Sequence, residues 1–435
     1  MKQRRLIQRG TFVTIDEQLP VYQGWLAMED GKIAAMGQGE APAEETALAT
    51  ETLDGSGLLF MPGLVNTHGH AAMSLLRGMA DDLALQDWLQ NHMWPTEAKF
   101  TGDDVYWGSA LAAVEMIKSG TTTFVDMYDH MHRVAEVVDT SGLRASLTRG
   151  VIGLCPEDVQ KAKLEDAIRF AKEWHGKADG RISVMMSPHA PYTCPPDYIL
   201  KFVETAHELN LPMHTHMSET LAEVEQNVRD YGVRPVEHLD RLGMFSRPTL
   251  VAHAVHLNDE EIALLAERKV AVSHNPVSNL KLASGVARVP ELLKAGVTVS
   301  LGTDGAASNN NLDLFQEIST AALIHKGVSG DPTAIPAAEA LRMGTLYGAR
   351  SIGLEGVTGQ LKTGLKADII ALNIGKAHFV PRTDVVSHLV YSARGADVVH
   401  VWVDGKPLLR DGQLTTLDEE KIMAEAERCY QRLRA

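Results

Sequence analysis

The sequence is poor in cysteine, and it lacks a long apolar run and a cluster of basic residues. Its 435 residues include three cysteines, Cys155, Cys194 and Cys429, and none of them belongs to a C-x-x-C pair. An odd number of scattered cysteines argues against a disulfide framework and favours a reducing compartment, so we expect a cytoplasmic protein. The first 20 residues are basic but contain no apolar h-region, which indicates that no signal peptide is present.

No apolar run is long enough to cross a bilayer, so we expect no membrane partner. Lys and Arg number 41 against 56 Asp and Glu, and the formal net charge is −15 at pH 7. The acidic residues are scattered along the chain, which is typical of a solubility feature. Because basic residues are not clustered, we also expect no nucleic-acid partner, whereas a small polar substrate is compatible with this charge.

What the sequence does contain is a regular alternation of strands and helices in its middle. Over residues 58–357, apolar segments such as TTTFVDM alternate with helical segments such as DDVYWGSALAAVEMIKSG. Eight strand-then-helix units predict an α/β fold, a (β/α)8 TIM-type barrel. The chain ends, residues 1–57 and 358–435, contain short strands and Asp-Gly turns. We expect them to pair in one small, discontinuous β-sandwich domain.

Candidate metal ligands lie where four of the predicted strands end. The first strand ends in HGH, with His68 and His70, the fifth in HTHMSE, the sixth in AHAVH and the eighth in GTDG. Residues i and i+2 share one face of a strand, so both imidazoles of the first pair can point into the barrel mouth, where barrel active sites lie. Nitrogen and oxygen ligands without a thiolate suit Zn²⁺ or another borderline divalent ion.

Each of these signals also has a structural explanation when it is taken alone. Asp304 is compatible with a helix N-cap, and His253 with a hydrogen-bonded core histidine. Of His214 and His216, one can be structural. A third H-x-H pair, at 130–132, lies past its strand among charged residues, and we expect it on the surface. Ligand-type residues at four strand ends on one face together favour a metal site.

Longer motifs extend the comparison to nearly the whole chain. They are MPGLVNTHGH, WPTEAKF, SPHAPYT, HTHMSET, LVAHAVHL, SHNPVSNLKLASGVARVPELLKAGVTVSLGTDGAASNNNLDLFQEI and GLKADIIAL. With these motifs the chain resembles the metal-dependent amidohydrolase superfamily, in its aminohydrolase branch of purine and triazine deaminases. Within this branch it most resembles the 5′-methylthioadenosine/S-adenosylhomocysteine deaminases.

The resemblance implies a ligand set and an acid/base group. The residues that match the metal ligands are His68, His70, His216 and Asp304, and by the same match His214 is not a ligand. Glu219 matches the general acid/base, His253 the histidine that orients the nucleophile, and Asp304 a second proton carrier. Binuclear relatives carry a bridging carboxylated lysine on the fourth strand, where this chain has VMMSPHAPYT. The resemblance therefore implies one metal: Zn²⁺, with Fe²⁺ or Mn²⁺ as substitutes.

The implied reaction is hydrolytic deamination of an adenine nucleoside to the inosine analogue and ammonia. A bound metal lowers the pKa of its water from about 15.7 towards about 7, and the hydroxide attacks the amino-bearing ring carbon. Glu219 takes the water proton and passes it to the adjacent ring nitrogen. His253 holds the hydroxide and stabilises the tetrahedral intermediate.

Four further positions match residues that contact the nucleoside in this family: Trp88, Glu97, Arg149 and His189. Three of them also have a structural explanation: Trp88 as a core tryptophan, Glu97 as a solvated glutamate on a helix, and Arg149 as one partner of an ion pair. Family members that use S-adenosylhomocysteine carry one more arginine in the loop after the third strand, where this chain offers only Lys161 and Lys163. Lysine lacks the bidentate fork of arginine. This departure favours 5′-methylthioadenosine, with S-adenosylhomocysteine and adenosine as further candidates.

Other functions stay open at this point. Guanine, oxidised-guanine and triazine amino- or chlorohydrolases share the metal motifs, although Glu97 with His189 favours a ribose-bearing substrate. A cyclic amidohydrolase is less favoured because such enzymes often use the lysine-bridged metal pair. A non-enzymatic scaffold is disfavoured because all the matched ligands and Glu219 are present. The cytidine-type zinc deaminases use a P-C-x-x-C pair that this chain lacks. Relatives form homo-oligomers, so we expect a dimer or tetramer.

Overall fold

The computed structural model of this protein describes residues 4–16 and 21–434. Residues 1–3, 17–20 and 435 belong to the end segments predicted to form the small domain, and they lie outside the described residues. The strands are β1 (Arg4–Val13), β2 (Val21–Glu29), β3 (Lys32–Gln38), β4 (Glu51–Asp54), β5 (Leu58–Pro62), β6 (Leu64–Asn66), β7 (Thr121–Tyr128), β8 (Arg144–Val151), β9 (Ile182–Val184), β10 (Ser187–Pro188), β11 (Met213–Met217), β12 (Thr249–His253), β13 (Ala271–His274), β14 (Val299–Leu301), β15 (Ile369–Asn373), β16 (Val398–Val403), β17 (Lys406–Arg410) and β18 (Gln413–Leu414).

The helices lie mostly between strands in the middle of the chain. They are α1 (Ala43–Leu48), α2 (Leu85–Asp87), α3 (Trp94–Glu97), α4 (Gly102–Lys118), α5 (Met131–Ser141), α6 (Glu157–Trp174), α7 (Lys177–Gly180), α8 (Pro196–Glu208), α9 (Leu221–Tyr231), α10 (Pro235–Arg241), α11 (Asp259–Arg268), α12 (Pro276–Lys281), α13 (Val289–Lys294), α14 (Ala306–Asn309), α15 (Leu314–Ser329), α16 (Ala337–Met343), α17 (Leu346–Ser351), α18 (Val385–Tyr391) and α19 (Glu419–Arg434). A π-helical turn, Trp88–Met93, separates α2 from α3, and a 3₁₀ turn, Ala71–Leu76, follows β6.

Strands from both ends of the chain pair in one nine-stranded sheet. Its order is β18-β17-β16-β15-β5-β1-β2-β3, with β4 beside β1. The two chain ends meet where β5 pairs antiparallel with β15. Aromatic side chains from both ends share an apolar core there, with Phe60 stacked on Phe12 at 5.1 Å and 6.5 Å from Trp402 between ring centroids. Burial of these large rings stabilises the pairing of segments that are far apart in sequence.

The middle of the chain forms two parallel sheets. One has the order β10-β8-β7-β6 with β9 beside β8, and the other has the order β11-β12-β13-β14. Every residue of β11, β12 and β14 is buried, as expected for parallel strands that helices cover. The sheets also touch at both ends: Met186 and Met213 form a parallel bridge, and Thr67 N donates to Leu301 O at 2.9 Å.

One predicted strand, LLFMPGLVNTHGH, is divided between two sheets in the structure. Its first half, β5, lies in the nine-stranded sheet, whereas β6 begins the parallel sheet. The division falls at Gly63, where a Cβ atom would lie 2.1 Å from Thr122 Oγ1. Only glycine allows the backbone to approach β7 so closely. The chain therefore passes from one sheet to the other just before the first candidate ligands.

Local signals in the sequence explain where several helices begin and end. Thr101 and Asp104 form a capping box at the start of α4, and Asn258 and Glu261 form another at the start of α11, so backbone N–H groups that the helix leaves unpaired are bonded. Helix α5 ends at Gly142, whose φ of 85° is left-handed, a conformation that glycine adopts without strain. Among the described residues, no helix is long and apolar enough to span a bilayer.

Candidate active site

The chain that follows β6 brings the first two candidate ligands to the carboxyl ends of the parallel strands. His68 is fully buried, and its carbonyl accepts a hydrogen bond from Asp304 N at 3.0 Å. A Cβ atom at Gly302 would lie 2.8 Å from His68 N, so a larger residue would separate the two segments. The glycine of GTDG thus lets the segment after β14 lie directly against the segment after β6.

Side chains from three segments converge at this point. The Nε2 atoms of His68 and His70 lie 3.5 Å and 3.2 Å from Asp304 Oδ1. His216, in β11, places its Nε2 3.3 Å from His70 Nε2. The ligand atoms of the three histidines all lie within 4.8 Å of one another. The structure therefore brings together the four residues that the sequence predicts as metal ligands.

Each imidazole uses its other nitrogen for a hydrogen bond, and this fixes its tautomer. His70 Nδ1 donates to Met127 O at 2.6 Å, and His216 Nδ1 donates to His189 O at 2.8 Å. In the neutral form of each ring the lone pair therefore lies on Nε2, as a metal ligand requires.

His214 fixes the tautomer of His68 by accepting a hydrogen bond from it, and His214 lies behind His68 as seen from the ligand atoms. Its Nδ1 donates to Leu250 O at 2.9 Å, so its Nε2 accepts from His68 Nδ1 at 2.9 Å. The Nε2 atom of His68 is buried and has no hydrogen-bond partner among the residues that the structure describes. A buried lone pair without a donor is costly, and a cation would satisfy it. Three such lone pairs beside one carboxylate form a donor set that fits a divalent metal. His214 contributes no ligand atom to it.

Asp304 presents one oxygen to this point and uses the other for support. Its Oδ2 accepts from Ser278 Oγ at 2.7 Å and from Ser308 Oγ at 3.0 Å. Burial is the largest single influence on the pKa of His70 and lowers it, but the hydrogen bond and charge of Asp304, together with the Met127 carbonyl and the charge of Asp126, raise that pKa to about 9. The carboxylate thus attracts a positive charge to this point, which a metal ion would supply in place of the proton.

Glu219 follows β11 directly and lines the cavity beside the ligands. Burial, with the nearby carboxylates of Asp304 and Glu223, raises the pKa of Glu219 well above its usual value. A carboxyl group with a raised pKa keeps its proton at higher pH than an ordinary glutamate does, so it can serve as a proton donor as well as an acceptor. Ser284 Oγ donates to its Oε1 at 3.4 Å. Geometry and protonation are therefore compatible with general acid/base catalysis.

His253, at the end of β12, faces Glu219 across the cavity, with 3.7 Å between His253 Nε2 and Glu219 Oε2. Asn279 Nδ2 lies 2.9 Å from His253 Nδ1, and when Nδ1 accepts this hydrogen bond the ring proton lies on Nε2. Burial lowers the pKa of His253 to about 4, which keeps the ring neutral. It can therefore donate a hydrogen bond into the cavity without carrying a charge.

All of the predicted site residues except His68 line one cavity of about 500 Å³. Its inner end contains the histidines and carboxylates described above. The apolar part of its lining includes Met73, Leu85, Trp88, Leu89, Trp94, Phe100, Val105, Ile152 and Leu282, and the charged residues Asp129, Arg149 and Lys163 line it as well. A volume of this size suits a ligand of nucleoside or drug dimensions.

The predicted substrate residues differ in how free their polar atoms are. Trp88 is 5% exposed and its Nε1 has no hydrogen-bond partner. Glu97 accepts from Tyr128 OH at 2.5 Å, and burial raises the pKa of its carboxyl. His189 Nδ1 lies 2.9 Å from Thr193 Oγ1. These side chains keep at least one polar atom available to a ligand.

Arg149 is more constrained. Its Nε donates to Asp166 at 2.9 Å and its Nη2 pairs with Asp129 at 2.8 Å. The guanidinium lines the cavity, but these two ion pairs support the structural role that the sequence also allowed. Of the two loop lysines, Lys163 lines the cavity and donates to Ile152 O at 2.9 Å. Lys161 is exposed and lies 3.9 Å from Glu165.

The third H-x-H pair is divided between the cavity rim and a helix packing contact. His130 is exposed at the rim of the cavity. His132 is half-buried and accepts from Trp174 Nε1 at 3.1 Å. Neither belongs to a group of possible metal ligands among the described residues; these groups are His68 with His70 and His216, and His68 with His253 and Asp304.

Two lining tyrosines were missed by the sequence interpretation. Tyr128 ends β7 and Tyr192 follows β10, and both line the cavity. The signal for Tyr128 was available, since it lies at a strand end on the face that carries the other site residues. Tyr192 lies within the SPHAPYT motif, but no residue-level pattern separates it from a packing aromatic.

Comparison with known proteins identifies relatives along nearly the whole chain. Residues 59–408 match the model of the amidohydrolase family. A 5-methylthioadenosine/S-adenosylhomocysteine deaminase of Desulforudis audaxviator (strain MP104C) is 49% identical over 434 residues, covering 99% of each chain. A 5′-deoxyadenosine deaminase of Methanosarcina acetivorans is 48% identical over 429 residues, covering 98% of each chain.

A solved structure extends the likeness to three dimensions. The adenosine deaminase of Xanthomonas campestris with bound zinc superimposes with a TM-score of 0.93 at 37% identity, covering 99% of this chain and 98% of that one. The match spans both the parallel strands that carry the site and the sheet built from the chain ends. By sequence, by structure and by the residues at its strand ends, this chain belongs to the amidohydrolase family.

Proposed function

We propose that this protein hydrolytically deaminates an adenine nucleoside, giving the inosine analogue and ammonia. One observation carries the proposal: a single cavity is lined by residues of a metal-type donor set, by the buried Glu219, by Glu97 and by many apolar side chains. The full-length relatives with deaminase names support it. A guanine or triazine hydrolase would share the inner end but has no use for a ribose-directed carboxylate such as Glu97.

One metal ion would be held by the Nε2 atoms of His68, His70 and His216 and by Asp304 Oδ1. We assign it as Zn²⁺, with Fe²⁺ or Mn²⁺ as substitutes, because the donors are imidazoles and a carboxylate. The zinc in the Xanthomonas campestris adenosine deaminase supports this choice. When bound, such an ion supplies a water molecule activated for attack at neutral pH.

The chain's own groups would move the protons and hold the oxygen. The carboxyl of Glu219 transfers a proton to the ring nitrogen next to the amino-bearing carbon, which accepts the charge as the ring loses aromaticity. His253 Nε2–H donates to the oxygen that joins this carbon. Asp304 carries a proton towards the departing amino group.

The apolar side chains of the cavity lining favour a nucleoside with an apolar 5′ substituent, most of all 5′-methylthioadenosine. Glu97 would accept hydrogen bonds from the ribose hydroxyls, while Trp88 and His189 contact the base and sugar. Among the described lining residues, the guanidinium of Arg149 is paired with two carboxylates and the amine of Lys163 with a carbonyl. A homocysteine carboxylate would therefore have to compete for either cation, so S-adenosylhomocysteine and adenosine are secondary candidates.

The experiment that tests this function measures ammonia release from 5′-methylthioadenosine, 5′-deoxyadenosine, S-adenosylhomocysteine, adenosine and guanine, with the metal content determined on the same sample. We expect the highest kcat/KM for 5′-methylthioadenosine and about one metal per chain. The Glu219→Gln variant should keep its metal and lose at least about 100-fold in kcat. Turnover of guanine alone, or full activity in Glu219→Gln, would refute the proposal.

We further propose that the two parallel sheets close into one (β/α)8 barrel within residues 58–357. We also propose that 1–57 and 358–435 form a β-sandwich domain, which β5 joins because it pairs with β1 and β15. The bonds that join the parallel sheets at both edges support the first part, and the nine-stranded sheet supports the second. The free thiols of all three cysteines are consistent with a reducing cytoplasm. Size-exclusion chromatography with light scattering tests the proposed dimer or tetramer, and a monomer would refute it.

A further inference from the structure

Glu223 is a buried glutamate that takes no part in the proton transfers proposed above, and its carboxylate accepts hydrogen bonds from the backbone at Glu219. Glu223 lies in the first turn of α9 and is 2% exposed. Its Oε1 accepts from Ser218 N at 2.9 Å and its Oε2 accepts from Glu219 N at 2.8 Å. The carboxylate therefore bonds the short connection between β11 and α9, from which the Glu219 side chain extends into the cavity.

These bonds exceed what capping of the helix requires. Thr220 is the N-cap of α9, and its Oγ1 accepts from Glu223 N at 3.2 Å. In a T-x-x-E capping box the glutamate reaches back to the N–H of the cap residue. Here the carboxylate extends further, to the N–H groups of the two residues before the cap. Its position serves the Glu219 connection as well as the helix.

The connection between β11 and α9 also has an unusual backbone conformation, and hydrogen bonds to a carbonyl group stabilise it. Ser218 has a left-handed φ of 53°, a conformation that is uncommon for a residue other than glycine and costs free energy. Its carbonyl accepts hydrogen bonds from Val255 N and His256 N, both at 3.0 Å. Glu223 supplies the matching bonds to the N–H side. Removing them would release a turn that has a more relaxed alternative.

We propose that Glu223 is a positioning residue for Glu219. Its carboxylate fixes the turn at 218–219 so that the Glu219 carboxyl stays in the cavity, 3.7 Å from His253 Nε2. Glu223 does not line the cavity, so it acts only through Glu219. The inference rests on the proposed function, in which Glu219 moves the proton.

The test begins with Glu223→Gln, which keeps the size of the side chain but removes one of its two acceptor oxygens. Displacement of a catalytic group by about 1 Å can cost about 100-fold in rate. We expect kcat on 5′-methylthioadenosine to fall about 10- to 100-fold, with KM and metal content unchanged. A loss of stability without a loss of kcat would overturn the proposal.

Glu261→Gln is the matched control, because Glu261 is also a buried glutamate in the first turn of its helix. It belongs to the capping box of α11, where its Oε2 accepts from Asn258 N at 2.9 Å, and it does not line the cavity. We expect Glu261→Gln to lower the melting temperature and to leave kcat unchanged. An equal loss of kcat in both variants would refute the proposal, because it would show that Glu223 has only a structural role.

A double variant tests whether Glu223 acts through Glu219. In the Glu219→Gln background, Glu223→Gln should cause no further loss of kcat, since groups that act as a unit are not additive. Multiplying losses would refute the coupling.

Amide hydrogen exchange over residues 213–224 supplies a readout that does not depend on activity. Ser218 and Glu219 should exchange faster in Glu223→Gln than in the wild type. If the wild type deaminates none of the nucleosides, the proposed function fails, and exchange alone decides whether Glu223 holds the turn. Unchanged exchange would overturn that.

Discussion

Replacing His214 with phenylalanine should weaken metal binding although His214 is not a ligand. In the structure His214 Nε2 accepts from His68 Nδ1 at 2.9 Å, and both rings are fully buried. Phenylalanine has nearly the same size but no acceptor. The Nδ1–H of His68 would then be buried without a partner, and the tautomer that leaves its Nε2 free for the metal would lose its support.

The size of the effect follows from the cost of that unpaired group. A buried donor left without an acceptor costs about 1–3 kcal/mol, and about 1.4 kcal/mol corresponds to a tenfold change in affinity. The zinc affinity of His214→Phe should therefore fall by about 5- to 140-fold. This range overlaps the loss of about 10- to 100-fold that is usual when the partner of a ligating histidine is removed.

The assay is a titration of metal-free protein with Zn²⁺ in competition with a chromophoric chelator. His214→Gln should retain more affinity, because its amide oxygen can accept the same hydrogen bond. His325→Phe is the control, since His325 is also buried and its Nε2 lies 3.2 Å from that of His274, which is not a candidate ligand. It should change stability but not zinc affinity. Wild-type affinity in His214→Phe would refute the reasoning.

Two further predictions concern the substrate end of the cavity and a carboxyl group away from it. Tyr128→Phe removes the hydroxyl that donates to Glu97 Oε1, so the KM for ribosides should rise by on the order of tenfold. The KM for 2′,3′-dideoxyadenosine, which lacks the ribose hydroxyls, should change little. An equal rise in KM for both kinds of substrate would contradict the role of Glu97. Burial raises the pKa of Glu317 to about 8, although Asn309 and Val277 N–H donate to it. The unfolded chain loses this proton near pH 4.5, so folding stability should fall as pH rises from about 4.5 to about 8, by at most about 1.4 kcal/mol per pH unit. Urea unfolding at several pH values should show a flatter dependence in Glu317→Gln, and an unchanged slope would refute the assignment.

Much of the architecture could be predicted because its signals are local. Strand ends, glycine stop signals and the alternation of apolar and helical segments each depend on a few adjacent residues, and they placed the parallel strands and the turns between them. The division of LLFMPGLVNTHGH at Gly63 could not be predicted. It depends on the approach of Thr122, a residue 59 positions away in sequence, and no local pattern reports such a contact.

The candidate site shows the same limit. The positions of His68, His70, His216 and Asp304 followed from strand ends and family motifs, and the structure brings them together. The sequence could not predict which of these side chains are already engaged in ion pairs or hydrogen bonds with the protein. Arg149 is bound by two carboxylates from different segments, and Glu97 by a tyrosine that was not considered. Both contacts bear on specificity, and both depend on how neighbouring segments pack.

The supports of the ligands connect the metal site to the register of the sheets. His70 donates to the carbonyl of Met127 in β7, His216 to that of His189 after β10, and His214 to that of Leu250 in β12. Each acceptor belongs to another strand or to the segment that follows one, and β11 and β12 are aligned with His214 opposite Leu250. A shift of one residue in this pairing would turn every imidazole of β11 to the other face of the sheet. Ligand geometry and strand pairing therefore cannot be perturbed independently, and substitutions at these carbonyl positions should act on metal affinity and folding together.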